Sequence, residues 1–177
     1  MSRYLFDESA VEGDILCLLS ILNASEHNHH LLAEYSEIGI FYIEWTLVQE
    51  LLIRTAIKLR LIDDLFNRAG KPIDYSISSV GYWTSDTDET NETKSDLCFR
   101  AACNKIIHAS DFDPQLKVAR IINNHEDKVY LPFIKLKGQK NRSVWIAHID
   151  ISKYCICALT LLRRYDMSEV YTRTGEL

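Results

Sequence analysis

Four polar residues within one short stretch, Arg100, Asn104, Lys105 and His108, carry the side chains of this 177-residue chain best suited to chemistry. Imidazole changes charge near neutral pH and can move protons, while guanidinium offers a two-pronged fork to oxyanions. Arg100, Asn104 and His108 stand at i, i+4 and i+8, so they lie along one side of a helix. Two turns, or roughly 12 Å of axial rise, separate Arg100 from His108. Helical side chains lean toward the amino end, which tilts Arg100 away from His108. Lys105 is nearer in sequence and sits about 60° from His108 around the helix. A structural use of the same residues stays open: Asn104 and His108 as a polar pair that fixes the helix, with His108 close to its terminal carbonyls.

The segment Cys103-Asn104-Lys105-Ile106-Ile107-His108 resembles the signature of the HEPN superfamily, in which an Arg, often followed by Asn or another polar residue, precedes a His on one helix. The resemblance implies a helical protein of a microbial defence or toxin–antitoxin type of system that acts on or binds RNA, in its active form a metal-independent endoribonuclease. It also implies a homodimer through the long helices and a cognate antitoxin or other protein partner. In that scheme His108 is the acid/base and Asn104 orients the phosphate or the imidazole. The family's Arg position is Cys103 here, and a thiol supplies no positive charge. Arg100 is the substitute, with Lys105 as a further RNA contact. The alternative is a catalytically inactive relative, a binding or adaptor domain engaging a protein partner. Neither reading calls for a cofactor or a metal.

A second basic cluster, Lys135, Lys137, Lys140 and Arg142, surrounds an expected β turn, with Tyr130, Phe133 and Trp145 near enough in sequence to offer stacking surfaces. The bland use of such lysines is to guard a strand edge. With a formal net charge of -5, any RNA contact has to come from a local patch of this kind. His27, His29 and His30 lack a recognisable metal-ligand pattern and read as a solvated helix end. No Walker loop, GxSxG elbow, HExxH or dinucleotide fingerprint is present.

The elements that must position these residues are mainly helical. Apolar periodicity predicts a helix over 11–24, one long helix over 31–69 or two with a bend near Gly39, a further one capped by Ser95 or Asp96 and running to His108, and a last helix capped by Asp150 or Ser152. Residues 71–95, with the acidic tract 84–93, read as a long polar loop. Within 115–149, three β-like segments joined by short loops imply an antiparallel meander, in which Pro132 marks a bulge or an unpaired side. The expected fold is thus mainly α within the α+β class: a bundle of about four helices in one domain, with a three-stranded antiparallel β-meander inserted before the last helix. The five cysteines are scattered without a CxxC and read as free thiols in a cytoplasmic protein; no stretch reaches the apolar length of a membrane span, and the amino end lacks the order of a secretory signal.

Overall fold

The computed structural model describes residues 8–31, 40–75, 79–85, 94–122, 125–141 and 143–165. Helix α1 (Glu8–Leu31) and helix α2 (Ile40–Arg68) come first, followed by strands β1 (Ser79–Thr84) and β2 (Ser95–Cys98). Helix α3 (Phe99–Ile107), strands β3 (Ala109–Ile122), β4 (His125–Lys140) and β5 (Ser143–Asp150), and helix α4 (Ile151–Arg164) complete the order. No helix among the described residues is long and apolar enough to cross a membrane.

Among the described residues all strand pairs are antiparallel and form a single five-stranded sheet in the order β2-β1-β5-β4-β3. The α+β class holds, but the expected three-stranded meander inserted before the last helix is corrected to a five-stranded antiparallel sheet that also takes in β1 and β2. The meander exists as β3-β4-β5, but β5 continues the sheet into β1 through Tyr82 opposite His148 and Trp83 opposite Ala147. Strand β1 thus lies in what reads as the polar loop 71–95, and β2 begins at the end of that loop, so that Ser95 and Asp96 belong to a strand instead of capping α3. The close approach of β1 and β5 has a local cause. A Cβ at Gly81 would stand 1.9 Å from the backbone oxygen of His148, so only glycine admits the pairing.

Helix α2 buries Val48, Leu52, Ala56, Leu59, Ile62 and Phe66, the three-to-four spacing of one helical face. They join Val11, Ile15 and Leu18 of α1, Tyr154 and Ala158 of α4, and the strand residues Leu97, Leu136, Ala147 and Ile149 in one hydrophobic cluster. Beside it, Asp14 of α1 accepts from Arg54 and Lys58 of α2. Burial pushes the Asp14 carboxyl up, but the two cations outweigh it and hold it below the usual carboxylate range. Asp150 caps α4 by accepting from the backbone N–H of Lys153 at 3.0 Å, and Arg163 and Arg164 occupy the last turn, where they complement the helix dipole.

Register shifts interrupt β3 and β4 where Pro114 faces Ile134 but Leu116 faces Tyr130, so the extra residues of β4 include Pro132. A proline there gives up no ladder hydrogen bond that a regular strand would need.

Candidate functional site

Helix α3 has two distinct faces. Phe99, Ala102, Cys103 and Ile106 recur at i, i+3, i+4 and i+7 and are buried, with Phe99 stacked on Tyr154 at 5.0 Å between ring centroids. Ala101, Asn104, Lys105 and His108 repeat the same spacing on another side and line a groove. Trp83 and Ser85 from the end of β1 form its second wall. The β4–β5 hairpin forms the third with Gln139, Lys140, Asn141, Ser143, Val144 and Trp145. The groove encloses about 850 Å³, and none of the described residues lining it is acidic.

Lys105 is the centre of this site. Its ammonium stands 4.2 Å from the ring centroid of Trp83 and 4.0 Å from that of Trp145, so two π faces attract the same cation. Burial, reinforced by the charge of Lys140, pushes its pKa below the ordinary lysine value. A half-buried ammonium beside a second cation, with no carboxylate among the described residues of the wall, gains most from an arriving anion.

The hairpin is shaped to make this possible. A Cβ at Gly138 would meet Cζ2 of Trp145 at 2.1 Å and the backbone oxygen of His108 at 2.8 Å. Glycine at that position lets the indole lie on β4 and lets β4 approach the end of α3. Asn141 opens the two-residue turn between Lys140 and Ser143 with φ 49°, a left-handed conformation that Asn tolerates well.

His108 terminates α3 through its backbone, whose N–H donates to Asn104 O at 3.1 Å. Its imidazole is exposed in the groove and not used in closing the helix end. Asn104, Lys105 and His108 are therefore brought together, as the helical spacing allows.

Arg100 is held elsewhere. Its Nε donates to Asp63 Oδ2 of α2 at 2.8 Å. Asp63 is buried and also accepts from Arg60, from Tyr75 Oη at 2.8 Å and from Asn67 Nδ2 at 3.2 Å. Burial and this carboxylate together raise the Tyr75 phenol far above its ordinary pKa, so it remains a donor. At 100° per residue Arg100 points about 80° away from His108, and the acceptor lies on that side. Cys103 turns to the core with Sγ 3.7 Å from Tyr154 Oη, and burial pushes its thiol up to about 12. Neither residue brings a cation into the groove.

The second basic cluster is divided by the pleat of β4. Lys140 lines the groove, whereas Lys135 and Lys137 alternate with Leu136 and Gly138 and project to the opposite side. Lys135 stands in register with His148, whose ring stacks on Tyr82 at 4.6 Å. Arg142 and the acidic tract beyond Ser85 lie outside the described residues, as do the side chains of His29 and His30. Among the described residues no group of three or more His, Cys, Asp or Glu side chains could hold a metal.

Sequence reasoning missed Trp83, Gln139 and Ser143, and it treated Trp145 only as a stacking surface. Trp83 reaches the site through the β1–β5 pairing, a long-range relation with no local pattern. Comparison with known proteins finds no family model, curated protein or solved structure that matches this chain.

Proposed function

We propose that the groove between α3 and the β4–β5 hairpin binds RNA, with Lys105 and Lys140 receiving backbone phosphate. The observation that carries this reading is the Lys105 ammonium held over Trp83 and Trp145, with Lys140 nearby, in a groove also lined by Asn104 and His108. Two like charges held together in a half-dry pocket repel each other, and a phosphate relieves both. Asn104, Gln139, Asn141 and Ser143 supply donors and acceptors suited to a 2'-hydroxyl and to base edges. The HEPN-like segment points the same way through Asn104, Lys105 and His108, and it suggests a microbial defence or toxin–antitoxin type of setting, a homodimer and a cognate protein partner.

An exposed imidazole in the same groove as two ammonium groups also provides the minimum for metal-independent cleavage. His108 takes the proton of the attacking 2'-hydroxyl or returns one to the leaving oxygen, and Lys105 and Lys140 offset charge on the phosphorus oxygens. One observation favours the second reading, a domain that binds without cutting: Arg100 is committed to Asp63 and Cys103 to the core, so neither supplies guanidinium chemistry in the groove. Purified protein without added metal, incubated with mixed structured and single-stranded RNAs, separates the two. Cleavage that is lost in His108→Ala while binding persists establishes the nuclease. Binding that weakens in Lys105→Met without any cleavage establishes the binding domain, and the absence of both overturns the proposal.

A further inference from the structure

Helix α2 shows a second apolar stripe on the side away from the core. Ile43, Leu47, Ile57 and Leu61 are between 43% and 53% exposed, more than isolated surface leucines and isoleucines require. At 100° per residue they fall within about 80° of one another, together with Glu50 and Arg54, and opposite the buried Leu52. Their order is symmetric about position 52: Ile43 and Leu61 lie nine residues to either side, Leu47 and Ile57 five, Glu50 and Arg54 two.

We infer that α2 pairs with α2 of a second copy of this chain, antiparallel about a two-fold axis at the level of Leu52. That operation sets Ile43 against Leu61 and Leu47 against Ile57 on both sides, and it brings each Glu50 to the opposing Arg54. An isologous interface needs a surface that is complementary to itself, and this stripe meets the requirement in both apolar contact and charge. Parallel pairing in register sets Glu50 against Glu50 and Arg54 against Arg54, which selects the antiparallel arrangement. Asp14 uses Nε and Nη2 of Arg54, leaving Nη1 to meet the opposing carboxylate. The stripe is about 27 Å long. One helix pair of that length covers less than the roughly 1,600 Å² of a standard interface, so the dimer forms in a concentration-dependent way. This inference specifies the homodimer named above and is independent of RNA binding, since the two surfaces share no residue.

Sedimentation velocity over a concentration series tests it. Self-association is expected in the unaltered chain, weakened about tenfold or more by Glu50→Arg alone and by Arg54→Glu alone. An equimolar mixture of these two variants is expected to recover dimer, because each then meets the opposite charge. Leu47→Asp mixed with Ile57→Lys gives the same recovery without touching the Asp14 ion pair, and circular dichroism verifies that every variant is folded. A chain that stays monomeric throughout overturns the inference, as does a dimer indifferent to the substitutions or variants that do not recover on mixing. RNA binding measured in the same samples shows whether the groove reading stands or falls separately.

Discussion

Lys105 places its ammonium 4.0 Å from the centroid of the Trp145 ring, and that ring is itself seated on the bare backbone of Gly138. A cation that would otherwise sample solvent is thereby fixed in position before any ligand arrives. Lys105→Met keeps the apolar stem between the indoles and removes only the charge. RNA affinity is expected to fall about tenfold, and the slope of log K against log salt to decrease by about 0.7 for a single strand. Fluorescence anisotropy across a salt series measures both. An unchanged slope would mean that Lys105 meets no phosphate.

The lowered pKa of Lys105 gives a pH signature. Its folded value lies below the unfolded lysine value of about 10.4, so between those two values the unfolded chain binds more protons and stability rises with pH. Below the folded pKa the cost of the buried ammonium is present in full. If the groove binds RNA as proposed, binding is expected to run the opposite way and weaken as pH rises through the same window, because the phosphate loses its cation. Urea midpoints and anisotropy measured from neutral pH upward should show the two trends, and Lys105→Met should flatten the Lys105 contribution to each.

Arg100 and Asp63 show where helical spacing alone misleads. The i, i+4, i+8 relation places Arg100 on the same strip of α3 as Asn104 and His108, yet Asp63 on a neighbouring helix takes the guanidinium. Asp63→Ala leaves Arg60, Arg100 and Tyr75 facing an empty acceptor site and is expected to cost about 3–5 kcal/mol in urea unfolding. Arg100→Gln removes one partly exposed partner and should cost about 1 kcal/mol or less, with RNA affinity unchanged. A loss of affinity comparable to that of Lys105→Met would show that Arg100 reaches the ligand after all.

The parts legible in the sequence were those with a local cause. Asp150 caps α4 and Arg163 and Arg164 end it as their positions predict, and the α3 residues Asn104, Lys105 and His108 meet in one groove because one helix carries them. Strands β1 and β2 were not legible. They are six and four residues long, too short for a clear alternation, and β1 contains a glycine whose meaning depends on His148 some seventy positions away. Trp83 disappeared with β1, and with it half of the aromatic clamp around Lys105. The four basic residues near the hairpin looked like one patch because sequence proximity does not show which face of a strand each side chain takes.

Under the proposed likeness to the HEPN signature Cys103 stands where an arginine is expected, and installing that residue is the direct test of whether the position itself matters. The side chain is 1% exposed and packed against Tyr154. Cys103→Arg would bury a guanidinium among Phe99, Tyr154 and Ile106, so it is expected to destabilise the protein by more than about 4 kcal/mol rather than to create activity. Cys103→Ala should be tolerated at about 1–2 kcal/mol. With its thiol at about 12 and buried, Cys103 should also resist alkylation in the folded state, whereas exposed Cys17 reacts. A folded Cys103→Arg variant that cleaves RNA would show that the core opens to the groove.

Gly81 and Gly138 connect the fold to the site, and they differ in what would have to move. At Gly138 the atoms in the way are the Trp145 indole and the His108 carbonyl, so Gly138→Ala is expected to displace the ring, cost about 1–3 kcal/mol and weaken RNA binding as the clamp loosens. At Gly81 the obstacle is the backbone oxygen of His148 at 1.9 Å, which cannot rotate away. Gly81→Ala must therefore part β1 from β5, and it should be the more damaging of the two in urea unfolding. Because Trp83 follows two residues later on the same strand, the substitution should also remove Lys105 from between its two rings, seen as a change in tryptophan fluorescence at urea concentrations below the unfolding transition. If Gly81→Ala unfolds no more readily than Gly138→Ala and leaves that fluorescence unaltered, β1 is not what holds Trp83 in the groove.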